Sequence, residues 1–190
     1  MNRIVLKNNG ARFTHNRPPL INNTFSIGKS NINSPFSLAL GNNIHITGGY
    51  QNNGAIIVAG HNISAHSANS VINVGDNNIY LSPQNVTVNG SDNTISGSYH
   101  LITGKSNSIA YGTNNCTING NSNTILLNAN FVSVNGSNNV IGASVSNCQI
   151  YGSNNAVPDG FTNVTIIGNN IQATQSYSYI VAPAPQKQAT

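Results

Sequence analysis

The chain has 190 residues, a formal net charge of +4, 38% hydrophobic and only 5% charged residues, 18 Gly and no Trp. It also carries 37 Asn and no Glu. That composition is foreign to ordinary globular enzymes and hostile to helix interiors, where Asn competes for backbone hydrogen bonds and Gly loses the most entropy. No run of about 18 apolar residues is present to cross a bilayer, and the modest apolar content favours a slender architecture over one thick core.

In chain order, residues 1–35 read as an N-terminal attachment segment. They hold Arg3, Lys7, Arg12 and Arg17, four of the seven basic residues, followed by Pro18-Pro19. Cations this sparse suit docking on an acidic protein surface better than binding nucleic acid, which needs a denser patch. The first residues lack the hydrophobic region of a secretory signal, so export by the general pathway is not expected. Residues 36–69 read as an irregular β transition region, in which Gly41-Asn42-Asn43-Ile44 and Gly60-His61-Asn62-Ile63 keep a corner motif but not a period. Residues 70–173 carry the regular repeats, and residues 174–190, ending in Ala182-Pro183-Ala184-Pro185, read as an extended C-terminal arm because Pro cannot donate to a sheet ladder.

The repeat is apolar-x-Gly-x-x-Asn-x-apolar, as in Ile118-Asn119-Gly120-Asn121-Ser122-Asn123-Thr124-Ile125 and Val134-Asn135-Gly136-Ser137-Asn138-Asn139-Val140-Ile141. Gly75, Gly90, Gly104, Gly120, Gly136, Gly152 and Gly168 follow one another at intervals of 15, 14, 16, 16, 16 and 16. Before each Gly the residues alternate, which places Val86, Val88, Val132, Val134, Val164 and Ile166 on an inner face. Ile95 and Ile141 join them, while Thr87, Ser133 and Thr165 face solvent. Gly permits a corner with positive φ, and the neighbouring Asn93, Asn107, Asn123, Asn139 and Asn155 suit corners because Asn tolerates left-handed backbone. Stacked at the spacing of parallel strands, such Asn residues would bond along the column. A weaker interval of 8, Gly104 to Gly112 and Gly152 to Gly160, predicts two short strands per unit. The expected fold is therefore all-β, a parallel β-solenoid with rungs of about 16 residues. Roughly seven rungs fit between Ala55 and Ala173, and a core this thin makes oligomerisation an expectation.

Few residues offer chemistry. Asp76, Asp92 and Asp159 are the only carboxylates, too few for paired acid–base work on a polysaccharide, and Asp replaces Asn readily in turns, so the chain is read as a non-enzyme without cofactors. The five His residues, 15, 45, 61, 66 and 100, show no His-x-His spacing. His100 falls in the inward register of Val86 and Val132; it reads as a neutral core histidine, with an axial metal ligand as the rival. Cys116 and Cys148 share that register and read as reduced, buried small hydrophobes. The outward column Thr87, Leu101, Thr117, Ser133, Gln149, Thr165 is broken by Leu101 and Gln149, against an ice-binding rank of Thr.

The tandem Val/Ile-x-Gly-x-Asn-Asn units, and the closing stretch from Val164 to Thr174, resemble the β-helical shafts of bacteriophage tail fibres, spikes and head fibres. The resemblance covers about residues 70–180. It implies a homotrimer in the virion, assembled in the host cytoplasm, joined to other virion proteins through the N-terminal segment and projecting toward a host surface glycan. A bacterial surface adhesin or carbohydrate-binding solenoid is the alternative, and it would need an export signal or anchor.

Overall fold

The computed structural model describes residues 25–28, 30–33, 37–47, 56–66 and 69–182. The chain winds as a β-solenoid of about eight turns in which every strand pairing is parallel. Each rung has two straight runs. In the regular part these are Ser108–Ile109 then Thr117–Asn119, Thr124–Ile125 then Asn130–Asn135, Val140–Ile141 then Ser146–Tyr151, and Ala156–Val157 then Thr162–Ile167. The longer runs pair only with longer runs and the shorter with shorter, so two parallel stacks face each other across the core. Ile118 aligns with Ile102 below and Val134 above, and Ile125 with Ile109 and Ile141.

The alternation in the sequence explains which residues meet. Ile102, Ile118, Val134, Ile150 and Ile166 point inward from the long stack, and Ile95, Ile109, Ile125, Ile141 and Val157 from the short stack, all at 2% exposure or less. Val86, Val88, Val132 and Val164 are buried with them. Each buried β-branched side chain contributes about 1.5–3 kcal/mol, and the same types repeating on every rung give a continuous apolar column. Thr87, Ser133 and Thr165 do point outward, yet they are half-buried rather than fully exposed.

Between the runs, backbone hydrogen bonds continue the ladder around the corners. Gly120 N–H donates to Thr103 O, Ser122 N–H to Lys105 O, and Asn128 N–H to Tyr111 O. The first corner carries the Gly column, which runs unbroken through Gly28, Gly41, Gly60, Gly75, Gly90, Gly104, Gly120, Gly136, Gly152 and Gly168, all with positive φ. The interval of 8 marks the opposite corner, where Gly112 and Gly160 also have positive φ.

The solenoid extends further than the regular spacing indicates. Phe25–Ile27 pairs with Ser37–Asn42, which pairs with Ile56–His61 and then Asn69–Val74, so the described strands between residues 37 and 66 stack in register with the rest. The interval from Gly41 to Gly60 is 19 residues, which hides the period while the corners stay stacked. At the other end, Ser178–Val181 pairs with Val164–Ile167, so part of the expected arm is a further strand. Arg3, Lys7, Arg12, Arg17, His15, Pro18-Pro19 and the Pro-containing tail from residue 183 lie outside the described residues.

Candidate functional site

The Gly corner is closed from inside by a column of buried amides. Asn78, Asn93, Asn107, Asn123, Asn139 and Asn155 are each at most 1% exposed. None has positive φ; that conformation falls one residue earlier, at Asn77, Asp92, Ser106, Ser122, Asn138 and Asn154. The Asn of the motif therefore braces the corner that its predecessor turns. Asn123 shows the pattern: its Nδ2 donates to Asn107 Oδ1 at 3.1 Å and to Gly136 O at 2.8 Å, while its Oδ1 accepts from Asn139 N–H at 3.1 Å and Asn139 Nδ2 at 2.9 Å. At the N-terminal end Ile44 and Ile63 occupy this column and the polar chain turns aside to Asn73, whose Oδ1 accepts from Asn78 Nδ2 and from the Tyr80 hydroxyl. Burial raises the Tyr80 pKa far above its ordinary value, so this phenol acts as a fixed donor.

His100 lies in the long-stack core at 2% exposure. Its Nδ1 accepts from Cys116 N–H at 3.2 Å, which leaves the proton on Nε2, 3.1 Å from Ser96 O and 3.3 Å from Thr113 Oγ1. Gly97 makes room: a Cβ there would sit 2.9 Å from Nε2. Desolvation lowers the His100 pKa to about 4, so the ring is neutral and its two nitrogens are both engaged within the protein. Among the described residues no group of three or more His, Cys, Asp or Glu is placed to hold a metal ion.

Cys116 and Cys148 are free, buried and separated by the Val132 rung, too far apart to bridge. Burial pushes the Cys116 thiol up to about 12 and raises Cys148 as well. Asp76 accepts from His61 N–H at 2.8 Å, with His61 Nδ1 at 3.2 Å; Asp92 meets Lys105 Nζ at 3.3 Å and Asn77 Nδ2 at 2.9 Å; Asp159 accepts from Ala143 N–H at 2.8 Å. Hydrogen bonds from Asn77 and Lys105 hold the Asp92 carboxyl below its usual range. Asp76 and Asp92 stand on adjacent rungs of the Gly corner, where Asp92 N–H donates to Asp76 O, while Asp159 lies at the opposite corner beside Gly160; each carboxylate is engaged in bracing a turn.

What remains for function is the outer surface. On the long stack, apolar side chains emerge at the two ends: Ile72, Val74 and Leu101 at one, Tyr151, Ile167 and Val181 at the other. Between them the outward positions are Thr, Ser, Asn and Gln. At the edge where the second corner enters the long stack, one column has positive φ on seven rungs: Asn85, Tyr99, Asn115, Phe131, Asn147, Asn163 and Tyr177. Asn is at ease there, whereas an aromatic residue in this conformation costs roughly 1–2 kcal/mol. Tyr99 and Phe131 are nonetheless 57% and 60% exposed, so no core packing offsets the strain. The sequence reading missed this column; aligning the position 11 residues after each Gly corner in the regular rungs would have found it. No protein-family model matches this chain, and no curated protein matches it.

Proposed function

We propose that the chain is a non-enzymatic structural component of a bacteriophage virion, a homotrimeric fibre or spike that projects from the particle. The observation that carries this reading is a rod whose buried polar groups are spent on its own corners, while apolar side chains stand exposed along the long stack, as Ile79 and Val140 do on the short one. Ile72, Val74, Leu101, Tyr151, Ile167 and Val181 would be covered if three rods packed along their long stacks, each exposed aliphatic or aromatic group gaining from removal from water. The Val/Ile-x-Gly-x-Asn-Asn units add the resemblance to phage shafts.

In this reading Arg3, Lys7, Arg12 and Arg17 dock the fibre on an acidic virion protein. Single exposed ion pairs are worth about 0–1 kcal/mol, but three chains multiply them by avidity. Sedimentation equilibrium tests the assembly: three times the 19.9 kDa chain mass is expected, and a monomer at micromolar concentration would remove the reading's physical basis. Docking is tested by deleting residues 1–24, which spares every described strand; the shortened chain should keep its mass ratio and fail to join particles.

A further inference from the structure

We infer that the corner edge bearing Tyr99, Asn115 and Phe131 is a binding site for a neutral, extended β-1,4-linked glycan lying along the rod axis. The three residues occupy the same register on successive rungs. Ser98 bridges Asn114 and Asn114 bridges Asn130 in parallel pairing, while Asn115 N–H donates to Ser98 O and Phe131 N–H to Asn114 O. All three have φ between 54° and 60° and stand exposed.

Folding does not account for the aromatic residues of this column. Asn fills it on four of its seven rungs and relieves the left-handed strain that Tyr99, Phe131 and, three rungs beyond Phe131, Tyr177 bear. Strain held at exposed positions points to a use outside the fold.

The spacing specifies the ligand. Tyr99 and Phe131 are two rungs apart, about 9.6 Å at one strand spacing per rung, roughly the length of a disaccharide in an extended chain. In a two-fold β-1,4 ribbon alternate sugars present the same flat face of C–H groups, so two aromatic rings at this interval receive sugars i and i+2. The intervening sugar lies over Asn115, whose amide can both donate to and accept from ring hydroxyls. The three side chains carry no charge, which fits a neutral polymer better than an acidic one. The inference stands independently of the virion reading, since a surface adhesin would use the same edge.

The test is calorimetric titration of the full chain with cellohexaose and chitohexaose, with cellobiose and chitobiose as short controls. At least one hexaose is expected to bind, and at least tenfold more tightly than its own disaccharide, which cannot reach both rings. Tyr99→Asn and Phe131→Asn should each weaken that binding at least tenfold while leaving the solution mass unchanged and raising the melting temperature by relief of strain. Failure of both hexaoses to bind overturns the inference, as does binding that survives both substitutions. Dissociation of the assembly on Phe131→Asn also overturns it, because the edge is then an interface between copies.

Discussion

Gly120 stands directly against Gly136 on the next rung: a Cβ built on Gly120 would lie 1.8 Å from the Gly136 carbonyl oxygen, on a residue whose φ is 146°. Neither relaxation of a side chain nor a rotamer change can relieve that contact, since both partners are backbone. Gly120→Ala should therefore cost about 3 kcal/mol or more, through strain and a broken rung contact together. Thermal melting followed by far-UV circular dichroism checks it, with Ala substituted at the exposed, ordinary-φ neighbour Asn121 as the control.

The buried and exposed amides of the same corner should behave very differently. Asn123→Ala removes two donors and an acceptor from the closed column, orphaning Gly136 O, the Asn139 backbone N–H and one of the two Asn139 Nδ2 protons, the other still bonded to Gly152 O. At about 1–3 kcal/mol for each unsatisfied buried group, a loss of about 3–5 kcal/mol is expected. Asn121 Oδ1 accepts only from Lys105 N–H, in an exposed place where water can substitute. Asn121→Ala should fall within about 1 kcal/mol of the parent chain in chemical denaturation.

The buried imidazole gives stability a defined pH dependence. Above pH 6.5, its ordinary pKa, His100 is neutral in both folded and unfolded chains and contributes nothing to the slope. As pH falls below 6.5 the unfolded chain binds a proton that the folded one refuses until about pH 4. Stability therefore declines across that window, by on the order of 3 kcal/mol in total, and this contribution levels off below it. Asp92, whose pKa is lowered, acts in a separate window: its contribution is present above its ordinary value of 3.8 and is lost as pH falls further. Melting temperatures from pH 7 to pH 4 should fall for the parent chain and change less for His100→Val.

Reaction with a thiol reagent separates buried from accessible cysteine. With Cys116 pushed up to about 12 and Cys148 also raised, neither presents thiolate at neutral pH. Ellman's reagent should label neither thiol in the folded chain and both after unfolding. Prompt labelling of one thiol at pH 8 would show that its rung opens.

The period of 16 was legible because three demands coincide at one spacing: Gly where backbones meet, Asn where amides stack, and alternating Val or Ile before them. Where the loops between corners change length, at the 19-residue step from Gly41 to Gly60 and the 14-residue step from Thr165 to Tyr179, the stacking persists but spacing no longer reveals it. The interior position of His100 followed from its register with Val86, while the room made by Gly97 did not, since it depends on contacts between rungs. The division of labour between Ser122, which turns the corner, and Asn123, which braces it, was also hidden, because both residue types are common in turns. Tyr99 and Phe131 went unnoticed because an exposed aromatic residue carries no periodic signal of its own; only the Asn residues above and below make it conspicuous.

The claim that this rod is a virion fibre is tested most directly by immunogold labelling of phage particles, using antibodies raised against residues 69–182, on lysates in which the chain is produced with its natural neighbours. The account predicts gold on projections of intact particles and co-sedimentation of the chain with them. Label confined to the bacterial envelope, with particles bare, would contradict it and leave the surface adhesin as the reading to pursue.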